Sequence, residues 1–283
     1  MFGRSRPTRR EGRRPTSREA KRRNAALGGI ALGILAILTI SAPVAYHYLN
    51  PKPIIDPSTN CPLSGPVSYT AVVIDATDTI NATQKVAMEN ELARIRSEIP
   101  RFGAFAIYAL SSNIELTKPE FALCNPGRAD EIDWVTEGKI LAERRWRDGF
   151  QKPLDDALTR SMSTASDAKS PLLEAIRSVS VQSFGPLRSN PSGSVPKRLV
   201  LFSDMLQNSE NLNVYQRIPT AKEFLSSESY RRVRADLRDV DVAIFLIRRQ
   251  TRGNIQRPEL LRLWEDVIPA QGGRLVHFKP LEG

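Results

Sequence analysis

Twenty-five consecutive residues, Ala25 to Leu49, contain no Lys, Arg, Asp or Glu. The centre of this run, Ile30 to Ile40, is apolar throughout except for Thr39. About 20 such residues in a helix span a hydrocarbon core of about 30 Å. Tyr46 and Tyr48 close one end, where amphipathic rings favour a membrane–water interface, and Arg22 and Arg23 abut the other. The run reads as a retained transmembrane helix. A cleaved signal peptide and a buried core helix are the other readings. Against the signal peptide, Pro43 interrupts the small-residue stretch Ser41 to Ala45, where a cleavage site would fall. Against the core helix, ten basic residues precede the run: Arg4, Arg6, Arg9, Arg10, Arg13, Arg14, Arg18, Lys21, Arg22 and Arg23.

Only Glu11 and Glu19 oppose those ten, so the first 24 residues carry +8 of the chain's net +10. The remaining 259 residues, with 31 basic and 29 acidic groups, are nearly neutral. That distribution excludes a uniformly basic nucleic-acid-binding protein, and no specific nucleic acid is expected as a partner. Basic flanks stay on the cytoplasmic side of a membrane. The expected location is therefore the inner (cytoplasmic) membrane, in a single pass. The N-terminus is cytoplasmic and touches anionic membrane lipid, and everything after Leu49 is periplasmic or otherwise extracytoplasmic. Four segments follow. Residues 1–24 form a disordered basic tail and 25–49 the transmembrane helix. Residues 50–66, with Pro51, Pro53, Pro57, Pro62 and Pro66, form a stiff extended linker, and 67–283 the folded domain.

Two cysteines are too few for a disulfide scaffold or a zinc pattern. Cys61 and Cys124 both lie on the exported side, where an oxidising compartment lets them pair; two free thiols are the alternative. Of the two histidines, only His277 lies in the domain, which leaves little room for histidine-based hydrolysis.

Within the domain, strand-like and helix-like segments alternate. Tyr69–Ile74, Phe102–Leu110, Ile114–Leu123, Arg198–Phe202, Val240–Ile247 and Arg274–Phe278 read as strands. Helices are expected over 81–98 (Asn81 as cap, Gln84 three residues on), 136–147, 154–162, 172–181, 220–237 and 258–268, with a loop over 185–196. This alternation predicts an α/β fold: a doubly wound, mostly parallel sheet with helices on both faces. In such folds ligands gather beyond the carboxyl ends of the strands.

Three segments meet that description. The first strand runs into Asp75-Ala-Thr77-Asp-Thr79, Ser170-Pro-Leu-Leu opens a helix, and the Arg198–Phe202 strand runs into Ser203-Asp204. Here the chain resembles the von Willebrand factor A (integrin I-domain-like) family, over roughly residues 67 to 280. The family carries Asp-x-Ser/Thr-x-Ser/Thr after its first strand, a Thr before a Pro-Leu-containing helix, and an Asp after its fourth strand. The resemblance implies a metal-ion-dependent adhesion site (MIDAS) of Asp75, Thr77, Thr79, Ser170 and Asp204. It also implies a protein ligand that supplies a carboxylate. A hard cation such as Mg²⁺ or Mn²⁺ suits those oxygen donors. Two carboxylates against a doubly charged ion leave it electrophilic toward a third. Ser170 stands where Thr is usual, Lys169 precedes it, and Met205 follows Asp204 where Gly is common. Lys169 either repels a cation or pairs with Asp78. The plainer reading of Asp75 and Asp204 is as turn and capping residues of a degenerate site.

The function expected is a membrane-anchored, non-enzymatic protein-interaction module that uses a divalent metal. Two alternatives differ in class: a metal-independent scaffold subunit of a membrane complex, and a Mg²⁺-dependent hydrolase with Asp75 as nucleophile. The second lacks an evident general acid or phosphate-clamping lysine.

Overall fold

The computed structural model describes residues 17–49, 52–75, 77, 80–110, 118–132, 138–162, 169–188, 194–249, 252 and 255–281. The chain divides into two compact units, residues 1–53 and 54–283.

Among the described residues, the first unit holds one helix, α1 (Ser17–Leu49). It begins eight residues before the apolar run, so Arg18, Lys21, Arg22 and Arg23 are helical rather than part of a disordered tail; residues 1–16 lie outside the described residues. By length and composition Leu27–Tyr46 can cross a membrane. Its large side chains, Ile30, Leu32, Ile37 and Ile40 among them, are more than half exposed, so the run is not buried as a core helix. Thr39 donates its hydroxyl to the Ala36 carbonyl at 2.9 Å, which satisfies the one polar group at the centre of the run.

The second unit is built on six strands: β1 (Tyr69–Ile74), β2 (Ala104–Ala109), β3 (Phe121–Cys124), β4 (Lys197–Ser203), β5 (Val240–Leu246) and β6 (Arg274–Pro280). Their order is β3-β2-β1-β4-β5-β6, all parallel except β3, which runs antiparallel to β2. The central strands are continuously apolar over residues 71–74, 199–202 and 242–246, where both faces are covered. Ala71, Val73, Leu199, Leu201, Val242 and Ile244 join one core. Their alternates Val72, Ile74, Val200, Phe202, Ala243 and Phe245 join the other, as the period of two along a strand requires. The second face is closed by α2 (Ala82–Ser97) and α4 (Lys152–Met162), through Met88, Leu92, Ile95, Leu154 and Ala157. The first is closed by α5 (Leu172–Val179), α7 (Ala221–Leu225), α8 (Glu228–Val233) and α9 (Pro258–Ala270). This is the doubly wound α/β arrangement. Asn81 caps α2 in a reciprocal capping box with Gln84. Two further helices, α3 (Lys139–Trp146) and α6 (Gly185–Arg188), are short.

Several elements differ from the sequence expectation. The single helix over 220–237 is two: Thr220 caps α7, and Ser227 caps α8 by accepting the Tyr230 amide. The same Ser227 hydroxyl donates to the Phe224 carbonyl at 2.7 Å. Serine side chains compete in this way for backbone groups that a continuous helix would use. Arg234 and Arg238 consequently fall beyond α8. The loop expected from residue 185 begins later, because a π-helical turn (Ser180–Phe184) carries α5 into α6 as far as Arg188. Among the described residues the third strand is Phe121–Cys124, and residues 114–117, with which the stretch read as strand begins, lie outside them.

The proline-rich stretch is not extended throughout. From Ile54 it belongs to the sheet unit. Ile55 bridges Pro62, Asp56 accepts the Ser58 amide and the Ser58 and Thr59 hydroxyls, and the Cys124 amide donates to the Thr59 carbonyl at 2.8 Å. Cys61 and Cys124 are joined as a disulfide. The bond closes a loop between residues 63 apart in sequence, which in the chain-entropy account stabilises a fold by about 4 kcal/mol. Urea unfolding of the full chain in detergent should therefore show Cys61→Ser, or reduced wild type, unfolding at clearly lower urea. Coincident transitions would show that the staple contributes nothing.

Candidate metal-binding and docking site

β1 and β4 are parallel neighbours with Ile74 opposite Phe202, so the chain leaves both strands at the same edge of the sheet. The Asp75 amide continues the ladder by donating to the Phe202 carbonyl at 2.8 Å. Its carboxylate is fully buried and receives hydrogen bonds at both oxygens. Oδ1 accepts the Thr77 hydroxyl at 2.6 Å and the Thr77 amide at 3.2 Å. Oδ2 accepts the Ser203 hydroxyl at 2.7 Å and the Ser170 hydroxyl at 3.1 Å. Three hydroxyls from three chain segments thus converge on one carboxylate. Each hydroxyl that donates to Asp75 keeps lone pairs free to accept or coordinate.

Ser170 is placed by paired backbone hydrogen bonds with Asn208, at 3.1 and 2.9 Å. Behind it, Glu174 of α5 is nine-tenths buried and accepts Gln207 Nε2, the Ser209 hydroxyl and Asn211 Nδ2 at 2.6–2.9 Å, while Gln207 Oε1 accepts the Leu173 amide at 2.8 Å. This network ties the start of α5 to the loop after β4. Lys169 is half-exposed and lies 3.8 Å from Glu210; Asp78, its other expected partner, lies outside the described residues.

Met205 explains the residue found where Gly is common. Its φ is +61°, a conformation glycine adopts freely. The methionine is nonetheless fully buried in the core, its amide donates to the Ser203 hydroxyl at 2.9 Å, and its carbonyl accepts Trp264 Nε1 at 3.0 Å. Left-handed strain of about 1–2 kcal/mol is offset by burial of an apolar side chain.

Asp204 has a different environment from Asp75. Its Oδ1 accepts the Leu206 amide at 3.0 Å and its Oδ2 accepts Arg249 Nε at 3.0 Å. Both partners of this ion pair are buried, with side chains 7% and 2% exposed. Gln256 locks the pair in place, its Oε1 accepting the Arg249 amide at 2.6 Å and its Nε2 reaching the Asp204 and Ile247 carbonyls at 3.0 and 2.9 Å. Burial first, then repulsion from the Asp75 carboxylate, push the Asp204 carboxyl up to about 6 against the pull of Arg249.

The structure thus brings Asp75, Thr77 and Ser170 into direct contact, places Asp204 within electrostatic reach of Asp75, and leaves Thr79 outside the described residues. Among the described residues no three His, Cys, Asp or Glu side chains cluster as metal ligands. A carboxylate with two or three hydroxyls suits a hard divalent cation with several waters, and in that respect the residues fit. Asp204 is the exception, because a guanidinium already neutralises it. Ser203 and Arg249 were not foreseen as site residues. The signal for each was its place, immediately after or two residues beyond the apolar stretch of a central parallel strand.

No protein-family model and no curated sequence matches the chain. Two structures of proximal thread matrix protein 1 from the mussel byssus, one with a zinc-occupied MIDAS motif, superpose with TM-scores of 0.38 and 0.37 at 13% identity. They cover 73% of this chain and 49% and 48% of their own, so the chain spans about half their length. The conserved hypothetical protein BatB from Bacteroides thetaiotaomicron superposes with a TM-score of 0.32 at 12% identity, over 75% of this chain and 91% of its own. Likenesses this distant leave the site to be read from the chain's own residues.

A carboxyl raised in the folded state binds its proton more tightly there than in the unfolded chain, so stability falls as pH rises through the interval between the two values. For Asp204 that interval is from about 4 to about 6, and the expected loss is about 2–3 kcal/mol. Urea unfolding of wild type and Asp204→Asn in chelator checks this. The gap between the two proteins should change between pH 4 and 7, and a constant gap would contradict the assignment.

Proposed function

We propose that the chain is a single-pass, membrane-anchored interaction module of von Willebrand factor A type. Its docking face is the carboxyl edge of β1 and β4, where a divalent cation, Mg²⁺ or Mn²⁺, and a carboxylate supplied by a partner protein meet. The observation that carries this is the convergence of the Thr77, Ser170 and Ser203 hydroxyls on the buried Asp75 carboxylate. Such an arrangement gathers neutral oxygen donors around one buried negative charge at the strand ends. A bound cation there retains positive charge toward solvent, which is what a partner's Asp or Glu would recognise. The apolar helix and its basic flank support an inner-membrane anchor with the N-terminus cytoplasmic and the sheet unit exported. A disulfide in the sheet unit accords with an oxidising compartment.

The metal-independent scaffold stays as a second reading because Arg249 supplies Asp204 with a counter-charge that needs no ion. The hydrolase reading fares worse. Asp75 is fully buried, and both its oxygens are engaged by hydroxyls, so neither is aimed at a substrate. Crosslinked capture from intact membranes distinguishes the first two. Under the proposed function, chelator and Asp75→Asn each reduce capture of the partner at least tenfold, and added Mg²⁺ restores it in wild type only. Capture that ignores both treatments would favour the scaffold.

A further inference from the structure

We propose that Arg249 is a resident cation of this site and competes with a divalent ion for Asp204. The inference rests on the metal-dependent reading above and deepens it. It starts from placement. β5 lies beside β4 with Leu246 opposite Ser203, and the Ile247 amide donates to the Ser203 carbonyl at 2.9 Å. The chain emerging from β5 therefore passes the loop that bears Asp204, and Arg249 is the second residue after Ile247. Its Nε meets Asp204 Oδ2 at 3.0 Å inside the protein, where the pair is shielded from water and salt.

Three features make this more than a neutralising contact. First, both Asp204 oxygens are already hydrogen-bonded while Arg249 is seated, Oδ1 to the Leu206 amide and Oδ2 to the guanidinium. Second, the seat is built. Gln256 grips the Arg249 amide and the Asp204 carbonyl at once, so the two segments are held in register without help from the ion pair itself. Third, the charges conflict. Asp75 and Asp204 contribute two negative charges and Arg249 returns one. A doubly charged ion beside Asp75 would face a buried guanidinium across a medium that screens weakly. Because an arginine stays protonated throughout the working pH range, it does not leave by losing its charge. It gives up Asp204 only by turning away. A seated Arg249 therefore opposes divalent occupancy of the site, and the wild-type affinity is depressed by it.

The test uses the full chain in detergent micelles with MnCl₂ as the probe, read by calorimetric titration and by thermal unfolding. Arg249→Met leaves Asp204 buried without a counter-charge. It should unfold at a lower temperature than wild type in chelator, bind Mn²⁺ at least tenfold more tightly, and regain its melting temperature as Mn²⁺ is added. Arg249→Lys keeps a cation and should bind Mn²⁺ as weakly as wild type. Adding Asp204→Asn to Arg249→Met should restore the chelator melting temperature and abolish the gain in affinity. If Arg249→Met does not fold, Arg249→Gln, which keeps a hydrogen-bond donor but no charge, is read in its place. Equal Mn²⁺ affinity in wild type and the neutral variant overturns the competition and leaves the metal site standing. Absence of Mn²⁺ uptake in every variant overturns both.

Discussion

A carboxylate with no exposed surface, at the end of a central strand, is the constraint on which the rest of the domain depends. An ionised group taken out of water costs several kcal/mol unless its lone pairs are satisfied. Asp75 is satisfied by Thr77 two residues on, by Ser203 across the ladder on β4, and by Ser170 at the mouth of α5. Meeting that requirement fixes three things together. β4 must be the parallel neighbour of β1 in the register observed. α5 must begin beneath the strand ends. The loop after β4 must bend at once, which the left-handed Met205 accomplishes. The same hydrogen bonds that make the buried charge tolerable also gather the hydroxyl oxygens of the candidate site, so stability and site are one construction here.

The second carboxylate obeys the same rule by a different route. Asp204 sits close enough to Asp75 for their charges to oppose one another, and hydroxyls alone would not offset that repulsion. A counter-ion is needed, and the chain provides one in Arg249. Removing one partner from a buried pair is far more damaging than the pair itself is favourable. Under the proposed competition the site has two charge states, the observed one with the guanidinium on Asp204 and one with an exogenous cation there. The fold is complete in the first without requiring the second.

Much of this was legible in the sequence, for identifiable reasons. β1 was readable to the residue because six apolar, β-branched or aromatic positions are bounded by Asp75 at one end. Asn81 and Gln84 announced the start of α2 because a capping box is a local, reciprocal pair of hydrogen bonds. Asp75, Thr77 and Ser170 were nameable because each sits where an element begins or ends. What was not legible depends on contacts distant in sequence. Arg249 finds Asp204 45 residues away, and Glu174 collects three donors from a loop more than 30 residues on. The break between α7 and α8 was missed because Ser226 and Ser227 carry little weight against a charged, helix-favouring stretch, although their side-chain hydrogen bonds decide the matter. The proline-rich stretch misled for a related reason. Proline density argues for extension, but Ile55, Asp56 and Cys61 find partners, and those outweigh it from Ile54 onward.

That packed segment also bears on why the proposal places a partner at the carboxyl edge of β1 and β4. A sheet presents unpaired backbone groups at its two outer strands, and an exposed edge recruits other chains without selectivity. Here β3 is four residues long and runs antiparallel, and its last residue is pinned by the Thr59 carbonyl and by the disulfide to Cys61. The other edge, β6, carries Arg274 bound to Asp241 and Lys279 bound to Glu91, and its register is broken opposite Val242 and Ala243. Charge, shortness and irregularity are the devices by which edges are made poor templates. With both sides of the sheet blunted and both faces covered by helices, the proposed docking falls to the strand ends. Under that proposal the chemistry there is set by oxygen donors and a counter-charge rather than by apolar area, and the partner brings charge of its own.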